Sequence, residues 1–253
     1  MRLNVLGPLE VIGSAATCRV RGFKLAKVTG LLALRANHFV SIETMSEELW
    51  SGSPPRNEAT TIRTHVYNLR RVLSSSGTGP SSGVALHTRP MGYQLSIPEE
   101  LLDVSRFDLL AREGRALFDA GRYAESAERL RAALAVWRGN ALEGIPVGPV
   151  LSGHLAHLGE KRARILELRI EADMRSGRHR DLVPELYELV ATDPLNEWLQ
   201  AQLMEVLHRS GRRGEALRSF HDARRCLDEQ LGIEPSDDLH QTYLQILSSG
   251  YQR

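Results

Sequence analysis

The 253-residue chain carries a formal net charge of +1, with 42% hydrophobic and 25% charged residues. Those are ordinary globular values, with enough chain for one large or two small domains. The composition excludes a disordered chain, and no run of about 18 apolar residues exists to span a membrane as a helix. Cys18 and Cys226 stand 208 positions apart, which excludes a disulfide scaffold and a multi-cysteine zinc site. Met1 to Gly13 lacks the basic start and long apolar stretch of a signal peptide, so the expected compartment is the cytoplasm.

The near-zero charge is unevenly divided. Residues 1–97 hold 11 Lys/Arg against 5 Asp/Glu, a net +6, and residues 98–253 hold 21 against 26, a net −5. Such asymmetry suggests a part facing nucleic acid and a neutral or acidic part facing a partner. A small basic half can also mean nothing.

In chain order, Leu3, Val5 and Leu6, then Leu9, Val11 and Ile12, predict two short strands around Gly7-Pro8. Leu25, Val28, Leu31, Leu32 and Leu34 carry a helical period. Gly30 inside it should cost about 1 kcal/mol against Ala. Ser41 to Trp50 predicts a second helix anchored by Thr44, Met45, Leu49 and Trp50. Ser51 to Pro55 is a turn, and a third helix follows from Asn57 to Leu73. Ser74 to Gly83 is a Ser/Gly stretch. Val84 to His87 and Tyr93 to Ile97 then predict a hairpin around Arg89-Pro90-Met91-Gly92. A Ser/Gly stretch usually separates domains. A lone hairpin is too small to fold by itself, so the stretch is read as a long loop within a first domain, residues 1–97.

From Pro98 strand signals disappear. Ser105 and Asp108 have capping-box spacing before an apolar periodic run. Ser176-Gly177-Arg178 recurs 34 positions later as Ser210-Gly211-Arg212, and Ala120-Gly121-Arg122 is a third copy. Asp193-Pro194 and Glu234-Pro235 end the second helix of two repeats. A 34-residue helix–turn–helix period is the tetratricopeptide signature, although a generic bundle with glycine turns would also show it. The first spacing is 56 residues, so the array is irregular, with an insertion from Trp137 to Gly153. The expected fold is therefore mainly α with a small β component: strands, three helices and a hairpin over residues 1–97, then an all-α tetratricopeptide-like helical domain over residues 98–253.

The third helix is the most informative element. Val66, Leu69 and Leu73 fall within about 40° of Ile62 at 100° per residue, one inward stripe. Thr60, Thr64, Tyr67 and Arg71 lie opposite, with Arg63 and Arg70 on one edge and Asn68 on the other. No acidic residue follows Glu58 in this helix. Arg can pair two donors with guanine and Asn can pair with adenine in a major groove, while hydroxyls and further Arg side chains hold phosphates. A solvated polar face is the alternative, but such faces usually mix both signs of charge. Arg89, near the tip of a β-wing, could enter a narrow minor groove, or be an exposed turn residue.

The sequence resembles the Streptomyces antibiotic regulatory protein family of transcriptional activators, which join an OmpR-type winged helix to a bacterial transcriptional activation domain. Leu6-Gly7-Pro8-Leu9-Glu10-Val11 matches the opening strands, and Leu31-Leu32-Ala33-Leu34 with Ala36-Asn37 the first helix. Leu49-Trp50, Pro54-Pro55 and Ala59 match the approach to the recognition helix, and His65-Val66 with Leu69-Arg70-Arg71 the helix itself. Thr88-Arg89-Pro90 and Gly92-Tyr93 match the wing. Leu134, Trp137-Arg138-Gly139 and Ala141-Leu142 fit the second part, as do Ala201 to Met204, Arg209 to Arg212, Glu215 to Leu217 and Leu231 to Pro235.

The resemblance implies an activator of a secondary-metabolite gene cluster, with residues 1–97 as its winged helix-turn-helix domain. It implies double-stranded promoter DNA with direct repeats, recruitment of RNA polymerase through its sigma subunit, and a homodimer on DNA. By matching position, recognition contacts fall on Thr60, Arg63, Thr64, Tyr67, Arg70 and Arg71, and the wing contact on Arg89. Lys24 and Lys27 match basic residues opening the first helix, which can reach phosphates or stay solvated. Two departures stand out: Ser51-Gly52-Ser53 where relatives often carry acids in a polymerase-contacting loop, and Gly30 for a better helix former. Larger relatives append an ATPase or phosphopeptide-binding domain. Neither is expected here, nor is a receiver domain with its phosphorylation control.

No P-loop and no H-E-x-x-H pattern occurs, and no pair of acids stands out as general acid and base. His154 and His157, three apart, are read as a surface feature. No cofactor, no metal and no enzymatic activity are expected. A winged-helix repressor, or a tetratricopeptide-like scaffold binding a peptide or small effector near Trp137, remain alternatives.

Overall fold

The computed structural model describes residues 1–13, 17–75 and 83–249, with the side chains of 17–19 left aside. The Ser/Gly loop falls mainly on residues 76–82, outside the described residues. Leu3 and Val11 pair across an antiparallel ladder of β1 (Arg2–Asn4) and β2 (Glu10–Ile12), and β3 (Thr17–Arg19) adds to its far edge. Val5 and Leu6 leave the strand but stay fully buried. β3 was not expected from the sequence, because three residues are too few for an alternating pattern to register.

Three helices follow: α1 (Phe23–Leu34), α2 (Ile42–Trp50) and α3 (Glu58–Ser75). Ser41 lies outside the second helix and caps it, its hydroxyl accepting from Thr44 N at 3.0 Å. β5 (Ala85–Arg89) and β6 (Gly92–Ser96) form the expected hairpin, and an unforeseen β4 (Phe39–Ser41) pairs with β6 to make a sheet in the order β4-β6-β5. Ile62, Val66, Leu69 and Leu73 of α3, Leu31 and Leu32 of α1, and Tyr93 and Leu95 of β6 share one buried core.

After a 3-10 turn at Glu99–Leu101 come α4 (Asp103–Asp119), α5 (Tyr123–Leu134) and α6 (Pro149–Arg175). The capping-box reading of Ser105 and Asp108 is corrected: α4 begins three residues earlier, with Leu102 rather than Ser105 at its N-cap and no side-chain cap. Asp103 leads it, and its carboxylate accepts from the buried amides of Val5 at 2.8 Å and Leu6 at 2.8 Å. Arg138 N donates to Leu6 O at 2.8 Å and Leu142 N to Val5 O at 2.9 Å. The Trp137–Gly153 insertion is thus a strap on the opening strands. Trp137 meets Phe107 edge-on at 5.6 Å, and the Arg162 guanidinium lies 4.8 Å from its ring centroid.

Gly30 now has a reason. A Cβ there would lie 2.8 Å from Leu142 Cδ1, and Leu142 is buried in the same core as α1. The helix gives up propensity so that the strap can approach.

The chain falls into two compact units, Met1–Arg169 and Ile170–Arg253, so residues on both sides of 97 belong to the first. The second holds the end of α6, then α7 (His179–Thr192), α8 (Glu197–Arg209), α9 (Arg213–Leu231) and α10 (Asp237–Ser248). The three glycine turns share one geometry. Gly121, Gly177 and Gly211 have φ of 72°, 82° and 79°. Arg122 N, Arg178 N and Arg212 N each donate back to the carbonyl five residues earlier, all at 2.9 Å. This is a Schellman closure, so the repeat seen in the sequence is a repeat of helix ends.

Candidate nucleic-acid interface

The exposed face of α3 follows from its buried stripe. Thr60, Arg63, Thr64, Tyr67 and Arg71 are all exposed, Tyr67 at 60%. The guanidinium groups of Arg63 and Arg71 make no hydrogen bond or ion pair among the described residues. Thr64 Oγ1 donates to Thr60 O at 3.0 Å, which leaves its lone pairs outward. Glu58, the one acid of α3, accepts from Ser46 Oγ of α2. That bond ties the two helices together and leaves the outer face cationic. Arg56, two residues ahead of the helix, is also exposed and free among the described residues. It was not singled out from the sequence, because it lies before the helical period begins.

The remaining candidates divide. Asn68 is half-buried. Arg70 turns to the wing, its Nη2 donating to Leu86 O at 2.9 Å and Thr88 Oγ1 at 2.8 Å. Arg89 reaches across the hairpin to Gln94 Oε1 at 3.0 Å, and Gln94 Nε2 donates to Asn37 O at 2.9 Å. The wing tip is instead led by Met91, 76% exposed with φ 58°. The Lys24 ammonium lies 5.2 Å from the Trp50 ring centroid, in cation–π range. Lys27 is half-buried and donates to Glu48 O at 3.3 Å. Ser51 to Ser53 is exposed, with Ser51 at φ 49°.

Burial shifts two histidines of this unit toward the neutral form. Burial, helped by Lys24, lowers the pKa of His65 on α3, and its Nδ1 has no partner. Burial, then Arg35 and His157, lower that of His154. His154 is half-buried and accepts from Arg35 Nε at 3.3 Å, so it is a packing residue rather than the surface feature expected. Asp103 is pushed up by burial, opposed by the Val5 and Leu6 amides and by Arg138.

A helix with a cation-bearing exposed face, beside a hairpin and above a second helix tied to it, is the architecture of a winged-helix DNA-binding regulator. Residues 21–95 match the model "Transcriptional regulatory protein, C terminal" and residues 102–247 the "Bacterial transcriptional activator domain". The chain is 39% identical to the regulatory protein DnrI of Streptomyces peucetius over 93% of this chain and 88% of that protein. It is 33% identical to the transcriptional regulator RedD of Streptomyces coelicolor over 98% of this chain and 71% of that one. The solved structure of Mycobacterium tuberculosis EmbR, in complex with a low-affinity phosphopeptide, superposes with a TM-score of 0.89 at 28% identity, covering 98% of this chain and 65% of that one.

The chain belongs to the Streptomyces antibiotic regulatory protein family, with an OmpR-type winged helix and a helical activator domain. It is a transcriptional regulator and not an enzyme. No helix among the described residues is long and apolar enough to cross a membrane.

Proposed function

We propose that the chain activates a secondary-metabolite (antibiotic) biosynthetic gene cluster from the cytoplasm. It binds direct repeats in promoter DNA as a homodimer and recruits RNA polymerase through the sigma subunit. Residues 1–97 read DNA and residues 98–253 serve activation. The α3 helix enters the major groove, where Arg63 and Arg71 pair with bases or phosphates, Thr60, Thr64 and Asn68 add polar contacts, and Tyr67 packs on the backbone. Lys24 meets a flanking phosphate and Arg89 approaches the minor groove with the wing.

The observation that carries this reading is the outer face of α3, which holds two unpaired Arg side chains and no free acid. Each residue that reads a base should contribute about 1–3 kcal/mol. In mobility-shift titrations on promoter fragments, Arg63→Ala and Arg71→Ala should each weaken binding by that amount, and wild-type affinity should fall steeply with salt as counterions are released. Binding indifferent to both substitutions and to salt would overturn the reading. Footprinting gives the repeat spacing, and in vitro transcription with purified polymerase tests activation. Suppressed output at the footprinted promoter would refute the activator assignment while leaving DNA binding intact.

A further inference from the structure

We propose that the first unit contains a binding site for a small organic anion with an apolar body, such as an aromatic carboxylate, distinct from the DNA-reading face. A cavity of about 380 Å³ opens where the opening strands meet α4 and α5. That volume falls in the range of small-molecule sites, about 300–1,000 Å³. Ile12 of β2, Ala132 of α5 and Val136 after it supply apolar wall.

The charges around the cavity separate by what holds them. Asp103 borders it, but its carboxylate is occupied by the Val5 and Leu6 amides. Arg138 borders it too, but Nη1 lies 2.7 Å from Glu10 Oε2 and Nη2 donates to Pro8 O at 3.1 Å. Arg2 and Arg106 are exposed at the lining, and their guanidinium groups make no hydrogen bond or ion pair among the described residues. Glu100 is the remaining lining acid, so the free side-chain charge is net +1. Apolar wall with two unspent guanidinium forks suits a ligand that buries a ring and presents a carboxylate, because Arg grips carboxylates with paired donors.

No residue of α3 or of the wing lines the cavity, so it is separate from the face proposed to read DNA. Its walls come from β1 and β2 on one side and from α4 and α5 on the other. An occupant therefore touches the strands that support the winged helix and the first helical hairpin together. A ligand that binds only this folded arrangement stabilises it by mass action, which makes the site a candidate input for a metabolite signal.

The test uses the full chain and the fluorescent amphipathic anion 8-anilinonaphthalene-1-sulfonate as probe. Saturable binding at one site is expected, with 2-naphthoate displacing the probe and the uncharged alcohol 2-naphthalenemethanol displacing it far less. Ala132→Trp, at an exposed helix position, fills the cavity and should abolish binding. Arg106→Glu should weaken it about tenfold, the scale of one charge-assisted contact. Melting curves and promoter mobility shifts report that each variant is folded, and Arg106→Glu, on the surface, serves if Ala132→Trp does not fold. Probe binding that is absent, or that is unchanged by the folded variants, overturns the proposal. The latter result would assign the probe to exposed apolar side chains such as Leu244 and Leu247. Promoter binding retained in either case keeps the DNA-reading assignment separate.

Discussion

Glu48 of α2 is 1% exposed, and both its carboxylate oxygens accept from backbone amides at the start of α6: Gly148 N and, at 2.8 Å, Leu151 N. It is a cap supplied from 100 residues away. In Glu48→Ala both amides lose their acceptor in a buried place, at about 1–3 kcal/mol each. The helix start also loses a favourable negative charge, about 0.3–1 kcal/mol. Part of this is offset because the carboxylate's own burial is relieved. The net expectation is a loss of about 3–5 kcal/mol. Glu48→Gln keeps one carbonyl oxygen but turns an amide donor toward the second N–H, so it should cost less, about 1–2 kcal/mol. Unfolding followed by tryptophan fluorescence in a Trp198→Phe background reports only Trp50 and Trp137, both in the first unit. At about 2–4 °C per kcal/mol for a domain of this size, the Ala variant should melt about 6–20 °C lower, and the Gln variant a few degrees lower. A shift in the Ala variant worth under about 1 kcal/mol, or equal shifts in the two variants, would refute the cap.

Gly30→Ala should destabilise although helix propensity favours Ala by about 1 kcal/mol, because overpacking against Leu142 costs about 1–3 kcal/mol. Urea titration should find that loss, and a Leu142→Val background should remove it. The lowered pKa of His65 means that the unfolded chain binds more protons below about pH 6.5, so stability should fall as pH drops through the unfolded value toward the folded one. His65→Phe should flatten that slope, and a slope unaltered by the substitution would assign it elsewhere, first to His154. Arg70→Ala should weaken promoter binding by freeing the wing, with faster amide exchange along β5. Unchanged exchange with weakened binding would make Arg70 a direct DNA contact.

The local signals of the chain translated well and the long-range ones did not. The stripe Ile62-Val66-Leu69-Leu73 is periodic, so its buried face and the opposite exposed face could be read directly, as could the Gly turns at 121, 177 and 211. β3 and β4, at three residues each, carry too little pattern. Ser105 and Asp108 looked like a capping box, yet α4 starts at Asp103, whose partners are amides almost a hundred residues earlier. Gly30 looked like a defect until Leu142 supplied the contact. The candidate interface was legible as a face but not as a set of free groups. Whether an Arg on that face is available depends on carbonyls from another element, as Arg70 with Leu86 shows.

The same distinction refines the charge asymmetry. Of the five acids in residues 1–97, three are held: Glu10 by Arg138, Glu48 by the start of α6, and Glu58 by Ser46. Cations are held as well, Lys27 by Glu48 O, Arg35 by His154 and Arg70 by the wing. What remains unpaired is Arg56 just ahead of α3 and Arg63 and Arg71 on it, and the one acid between them, Glu58, accepts from Ser46. Salt dependence follows the number of phosphates neutralised rather than formal charge. The log–log slope per protomer should therefore answer to those few free side chains. The strap from Trp137 to Gly153 contributes indirectly, since Arg138 is what takes up Glu10 and the start of α6 is what takes up Glu48. A change in that strap that frees either acid should therefore lower promoter affinity in a mobility shift, and unchanged affinity would show that these acids do not bear on it.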